Sequence, residues 1–167
     1  TVTVPPGFSG AAGVSFNWIK SDGSGAQTLT GQPLTGRLLW PGASVDASGN
    51  PINPQTGVAL SRVFYFDYDK ATLQPESLAI LEQHAAFLRA SPDRRVTVDG
   101  FTDERGTREY NLALGERRAN AIRSFLTPAG VPSNQIETVS YGEERPDDPG
   151  HSDAAWARNR RAVLVYR

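Results

Sequence analysis

Hydrophobic positions recur at two different spacings along this chain, and the spacing changes where the structure should change. Residues 63–68 (VFYFDY) are aromatic or β-branched on both alternating faces, which predicts a buried central strand. Residues 78, 81, 85 and 88 (Leu78, Leu81, Ala85, Leu88) recur at helical spacing. Thr72 as a cap and Pro75 in the first turn would open that helix, and Ser91-Pro92 would stop it. Residues 95–101 read as a second strand, with Val96 and Val98 on one face. A second helix is expected over residues 108–126, with Thr107 as its cap and Gly130-Val131-Pro132 beyond its end. Residues 136–141 form a third strand ended by Gly142. A polar loop over 143–152, a short helical turn over 153–158 and a last strand over 161–166 complete the pattern.

The order βαβαββ implies an α/β two-layer sandwich, a mixed sheet with the two main helices on one face. The crossovers should be parallel and the last pair of strands antiparallel.

One residue breaks the pattern of the second helix. At about 100° per residue, Tyr110, Leu114, Ala121 and Phe125 share an arc about 60° wide, and Ile122 extends it. Arg118 projects onto the same arc, where an apolar residue belongs. An unpaired guanidinium against a core costs several kcal/mol, so it needs an anionic partner. The preceding loop, Thr102-Asp103-Glu104-Arg105-Gly106-Thr107, offers Asp103. Arg118 and Asp103 form either an internal ion pair or a socket for a ligand that carries both charges.

Composition divides the chain near residue 61. Residues 1–61 hold 10 of the 16 glycines and 6 of the 12 prolines, but only Lys20, Arg37, Asp22 and Asp46 as charges. They are expected to form an N-terminal loop-rich arm. Val14, Phe16 and Trp18 alternate as a short strand, residues 21–25 make a turn, and residues 26–29 return as a hairpin. Residues 62–167 form the compact domain. The formal net charge of −1 gives no bulk pull toward nucleic acid or anionic membrane. With no cysteine, disulfides, thiolate metal sites and cysteine nucleophiles are excluded. No apolar stretch reaches the ~20 residues of a membrane helix, and the first residues do not read as a signal peptide. A soluble, trimmed chain is expected.

Catalytic constellations are missing. His84 and His151 sit in different elements, without metal-ligand spacing; His84 reads as structural and His151 as solvated. Asp67 and Asp69 share one face at a strand end, where turn or binding roles outrank paired-acid chemistry. Arg117 points about 100° away from Arg118, so the two cannot clamp one phosphate; Arg117 reads as solvated or ion-paired. Gly106 suits a left-handed turn. Tyr110 and Leu114 read as core, and Trp156 as packing the short helical turn onto the domain. No enzyme, metal or cofactor is expected.

The stretch Gly100-Phe101-Thr102-Asp103-Glu104-Arg105-Gly106-Thr107, continued by Glu109-Tyr110-Asn111 and Arg117-Arg118-Ala119, resembles the peptidoglycan-associated lipoproteins of the Gram-negative Tol–Pal system, within the OmpA-like domain family. Tyr65-Phe66-Asp67-Tyr68-Asp69 looks like the family's first strand. Gly150-His151-Ser152, Trp156, Asn159-Arg160-Arg161-Ala162 and Val165-Tyr166 look like its C-terminal end. The likeness runs from about residue 62 to 167; residues 1–61 lie outside it.

The resemblance implies non-covalent binding of the diaminopimelate side chain of the peptidoglycan stem peptide, tethering outer membrane to wall. Asp103 would take the ammonium and Arg118 the carboxylate. Asn111, Phe66, Asp67, Asp69 and Thr107 are further candidates. Asn111 would bond either ligand or loop backbone. Backbone N–H groups at 66–69 would take a second carboxylate, and Thr107 is a cap first. The implied partners are the stem peptide, TolB, TolA and the outer membrane, reached through a lipidated N-terminal cysteine that this sequence lacks. Nucleic acid is not a partner, and a monomer is expected. The alternatives are a protein-interaction module, or another wall-binding domain such as a porin tail or motor stator fragment.

Overall fold

The computed structural model describes residues 45–53 and 56–167, together with the backbone of 17–19 and 26–28. The chain divides into two units, Thr1–Ala59 and Leu60–Arg167. In the first, strand β1 (Asn17–Ile19) pairs antiparallel with β2 (Ala26–Thr28), Trp18 opposite Gln27. The side chains of the Val14, Phe16 and Trp18 alternation and the turn at 21–25 lie outside the described residues.

The second unit contains β3 (Val63–Tyr65), α1 (Pro75–Ala90), β4 (Val96–Phe101), α2 (Arg108–Leu126), β5 (Ile136–Gly142), α3 (Asp153–Asn159) and β6 (Arg161–Tyr166). The sheet order is β3-β6-β4-β5. The pair β4–β5 is parallel, and β6 runs antiparallel to both β3 and β4. This is the expected α/β sandwich with a mixed sheet. The last two strands do run opposite ways, but they are not neighbours, because β6 inserts between β3 and β4.

That insertion corrects the reading of residues 63–68. The strand is three residues long and lies at a sheet edge. Both-face apolarity misled, because the aromatic residues divide the work. Phe64 and Phe66 are buried, whereas Tyr65 is 49% exposed. The two interior strands are β4 and β6, whose Val96, Val98, Ala162 and Leu164 are nearly or fully buried.

Helix α1 starts at Pro75 with Gln74 as its cap residue, and no side chain caps it. Proline forces the residue before it into extended geometry, and Gln74 has φ −68 and ψ 145. Thr72 is therefore outside the helix. Leu81, Ala85 and Leu88 form the inner stripe as expected, but Leu78 is 38% exposed. His84 belongs to that stripe. Its ring meets Phe64 edge-on and stacks on Tyr166, joining α1 to β3 and β6.

Helix α2 has the expected bounds, and the Thr107 hydroxyl accepts from the Tyr110 N–H. Its buried stripe is Asn111, Leu114, Gly115, Arg118, Ala119, Ile122 and Leu126. The stripe is rotated by about one residue from the expected arc, so Tyr110 is 44% exposed rather than core. Arg118 now sits at the stripe's centre. Close approach of α2 to β4 depends on two glycines. A Cβ on Gly100 would lie 1.8 Å from the Gly115 carbonyl oxygen, which no side chain survives.

Candidate functional site

The guanidinium of Arg118 is fixed by backbone oxygens, not by a carboxylate. Nε donates to the Lys70 carbonyl at 2.8 Å, Nη1 to Phe101 at 2.8 Å and Nη2 to Asp67 at 3.1 Å. Three converging loop and strand ends thus supply the negative partial charge that a buried cation requires. The Phe66 ring lies 5.3 Å from the same guanidinium. Asp69 lies in the loop beyond β3 with φ 55, a left-handed turn that Asp tolerates. Arg118 is fully buried. Desolvation lowers its pKa to about 10, opposed by the nearby Asp103 charge, so it remains a cation at neutral pH.

Asp103 has a different partner from the one the helix arc suggested. Its Oδ1 accepts from the Arg105 backbone N–H at 3.0 Å and from Arg105 Nε at 3.3 Å, and its Oδ2 accepts from Arg105 Nη2 at 2.8 Å. Arg160 Nη1 is 3.6 Å from Oδ2. Burial alone would raise the Asp103 pKa. The hydrogen bonds from Arg105, with the charges of Arg105 and Arg160, outweigh burial and hold the carboxyl below its ordinary value.

Asn111 clips the loop to the helix. Its Nδ2 donates to the Asp103 carbonyl at 3.3 Å and the Arg105 carbonyl at 3.1 Å. Of its two expected roles, the loop bond is the one observed. Gly106 has the expected positive φ of 102, which lets the chain turn into α2.

Asp103, Arg118, Asn111 and Asp69 line one cavity of about 240 Å³ with Tyr68 and Arg105. Tyr110 also lines it, and its hydroxyl donates to Asp69. Phe66 and Asp67 line a different cavity of about 310 Å³ beside Arg158 and Arg160. Asp67 reaches the first only through its carbonyl on Arg118. The Phe66 N–H is taken by the Arg160 carbonyl at 2.9 Å, so it is not open to a carboxylate. Thr107 lines neither cavity and serves as the helix cap.

Sequence reasoning missed Arg105. Its guanidinium lies 3.9 Å from the Tyr68 ring and 4.3 Å from the Trp156 ring. Trp156 Nε1 donates to Glu104 Oε1 at 2.9 Å, and His151 Nδ1 is 2.6 Å from the same oxygen. The Asp-x-Arg spacing is visible in the sequence, but the stacking partners come from distant segments. Among the described residues, no three His, Asp or Glu side chains are grouped to hold a metal.

A cation and an anion on the walls of one small cavity suit a zwitterionic head group. Five guanidinium N–H bonds exist and three are used among the described residues, which leaves two on Arg118 there.

Residues 65–160 match the OmpA family. The peptidoglycan-associated lipoprotein of Pasteurella multocida strain Pm70 is 55% identical over 102 residues, covering 61% of this chain and 68% of that protein. That of Pseudomonas aeruginosa PAO1 is 46% identical over 123 residues, covering 74% and 73%. Among solved structures, the peptidoglycan-associated lipoprotein from Burkholderia pseudomallei matches with a TM-score of 0.64 and 50% identity, over 64% of this chain and 91% of that one. With the fold, the loop and the relatives in agreement, this chain belongs to the OmpA family, among its peptidoglycan-associated lipoproteins.

Proposed function

We propose that the Leu60–Arg167 unit binds peptidoglycan without cleaving it, by taking the diaminopimelate head group into the cavity between Arg118 and Asp103. The observation that carries this reading is the placement of a permanent cation and a held carboxylate on one cavity of about 240 Å³. Arg118 offers its two remaining N–H bonds to the carboxylate. Asp103 receives the ammonium. Each charge-assisted hydrogen bond contributes ~1.5–3 kcal/mol before ordering costs are subtracted, so affinity for one stem peptide is modest. A polymeric wall makes up the difference through local concentration.

In this proposal the protein tethers the outer membrane to the wall from the periplasmic side, with a lipid anchor on the natural protein. TolB and TolA are its proposed protein partners. The relatives' names support the envelope role, and the cavity's charge pair supports the ligand.

Calorimetry with a diaminopimelate tripeptide and its lysine counterpart tests it. The lysine peptide lacks the distal carboxylate and should bind at least tenfold more weakly. Equal affinities would remove Arg118 from the site. A second reading, a protein-interaction surface whose charges stay satisfied internally, is favoured by the low exposure of Asp103 (4%) and Arg118 (0%). Absence of heat with either peptide would select it.

A further inference from the structure

A carboxylate built to receive a cation is costly when the cation leaves, because an unpaired buried charge is strongly destabilising. Here it is not left alone. Asp103 has about four lone-pair positions, and Arg105 fills three through its backbone N–H, Nε and Nη2. The Asp103 side chain is 5% exposed, while the Arg105 side chain that covers it is 31% exposed. The guanidinium therefore stands between the carboxylate and solvent. It lies against the rings of Tyr68 and Trp156, and Trp156 is in turn bonded to Glu104. The Arg105 backbone is fixed separately, its carbonyl accepting from Asn111. The side chain can leave without moving the loop.

We propose that Arg105 is the internal occupant of the anionic half of the cavity, a stand-in that an incoming ammonium displaces, and that it thereby sets the threshold a ligand must exceed to bind. This rests on the head-group reading given above. With Arg105 on both oxygens and Arg160 Nη1 3.6 Å from Oδ2, Asp103 keeps at most about one lone-pair position for an ammonium with three N–H donors. A ligand with only the ammonium exchanges one ion pair for another and forfeits the ring contacts of Arg105. A ligand that also carries a carboxylate gains Arg118 as well. Arg105 thus imposes the same cost on both kinds of ligand, and the one with both charges offsets it at Arg118. The backbone N–H of Arg105 stays on Oδ1 throughout and keeps the carboxylate aimed.

The test uses the full chain and the two tripeptides. Arg105→Ala should bind the diaminopimelate peptide about tenfold more tightly, since the closed form no longer competes. The lysine peptide should gain by about the same factor, so the preference between the two, which Arg118 sets, should stay unchanged. Arg105→Gln, which keeps side-chain bulk, should behave likewise and covers the case in which the alanine variant does not fold. In the wild-type chain, titration with the diaminopimelate peptide should change the Trp156 fluorescence as the guanidinium unstacks. Trp156→Phe supplies the background from Trp18 and Trp40. If the wild-type chain binds but both Arg105 variants bind equally or more weakly, the stand-in role is wrong and the head-group reading survives. An unchanged Trp156 signal at saturating peptide overturns it in the same way. If the wild-type chain does not bind the peptide at all, both fall together.

Discussion

His84 on α1 and Arg118 on α2 are both fully buried polar residues on the inner faces of their helices, yet they are satisfied in different ways. The His84 ring has two nitrogens, and the protein uses both: Nδ1 is 2.7 Å from the Tyr166 hydroxyl and Nε2 is 2.8 Å from the Ser61 carbonyl. The carbonyl can only accept, so Nε2 carries the proton and Nδ1 accepts from the hydroxyl. Nothing remains to offer a ligand. Arg118 spends three of its five N–H bonds on carbonyls and lines a cavity with Asp103. Complete satisfaction leaves His84 its role in the fold alone, whereas Arg118 keeps donors beside a cavity, which is what the proposed binding role rests on.

Replacement of Arg118 should produce the largest effect. Arg118→Ala orphans the carbonyls of Asp67, Phe101 and Lys70, which should cost ~3–5 kcal/mol. Urea unfolding should remain cooperative, while calorimetry shows diaminopimelate-peptide binding reduced at least 100-fold. Retained binding would erase the contrast between the two residues.

The next effect belongs to His84 and to pH. Burial lowers its pKa from 6.5 to about 4, so the folded state binds fewer protons than the unfolded chain between those values. The stability from the neutral ring is complete above pH 6.5 and is lost as pH falls toward 4, by about 3 kcal/mol. Urea midpoints across that range measure the loss. His84→Gln should flatten the slope and leave peptide affinity within about twofold.

A smaller change is expected from Asp103→Asn, which keeps shape and removes charge. Peptide affinity should fall ~10- to 100-fold, the equivalent of ~1.5–3 kcal/mol. Because the Asp103 carboxyl lies below its ordinary pKa, wild-type binding should persist down to about pH 4. Tyr110→Phe, which removes the hydroxyl bonded to Asp69, should be the mildest, changing affinity by less than about fivefold.

The helical parts of this arrangement were readable in advance. The α2 bounds, the Thr107 cap and the burial of Arg118 follow from periodicity and capping chemistry, which are local. The β6 bounds were equally plain. The placement of β3 at a sheet edge was not, because strand order depends on where β6 returns, a choice made a hundred residues away. The partners of the charges failed for a similar reason. One-dimensional spacing put Asp103 near Arg118, but it says nothing of three carbonyls converging on the guanidinium. Nor does it place the rings of Tyr68 and Trp156 against Arg105. Loop geometry, such as the left-handed turn at Asp69, is fixed by contacts distant in sequence.

The position of β3 also has a mechanical meaning. The chain enters the domain at Leu60, runs along this strand, and reaches at once the Asp67–Lys70 turn whose carbonyls grip Arg118. Force carried in through Leu60 passes along β3 before it reaches that turn. The strand's rungs to β6, Val63 with Val163 through Tyr65 with Arg161, then bear the load side by side and not one after another. Slackening those three rungs would loosen the turn that supplies two of the three carbonyls on Arg118.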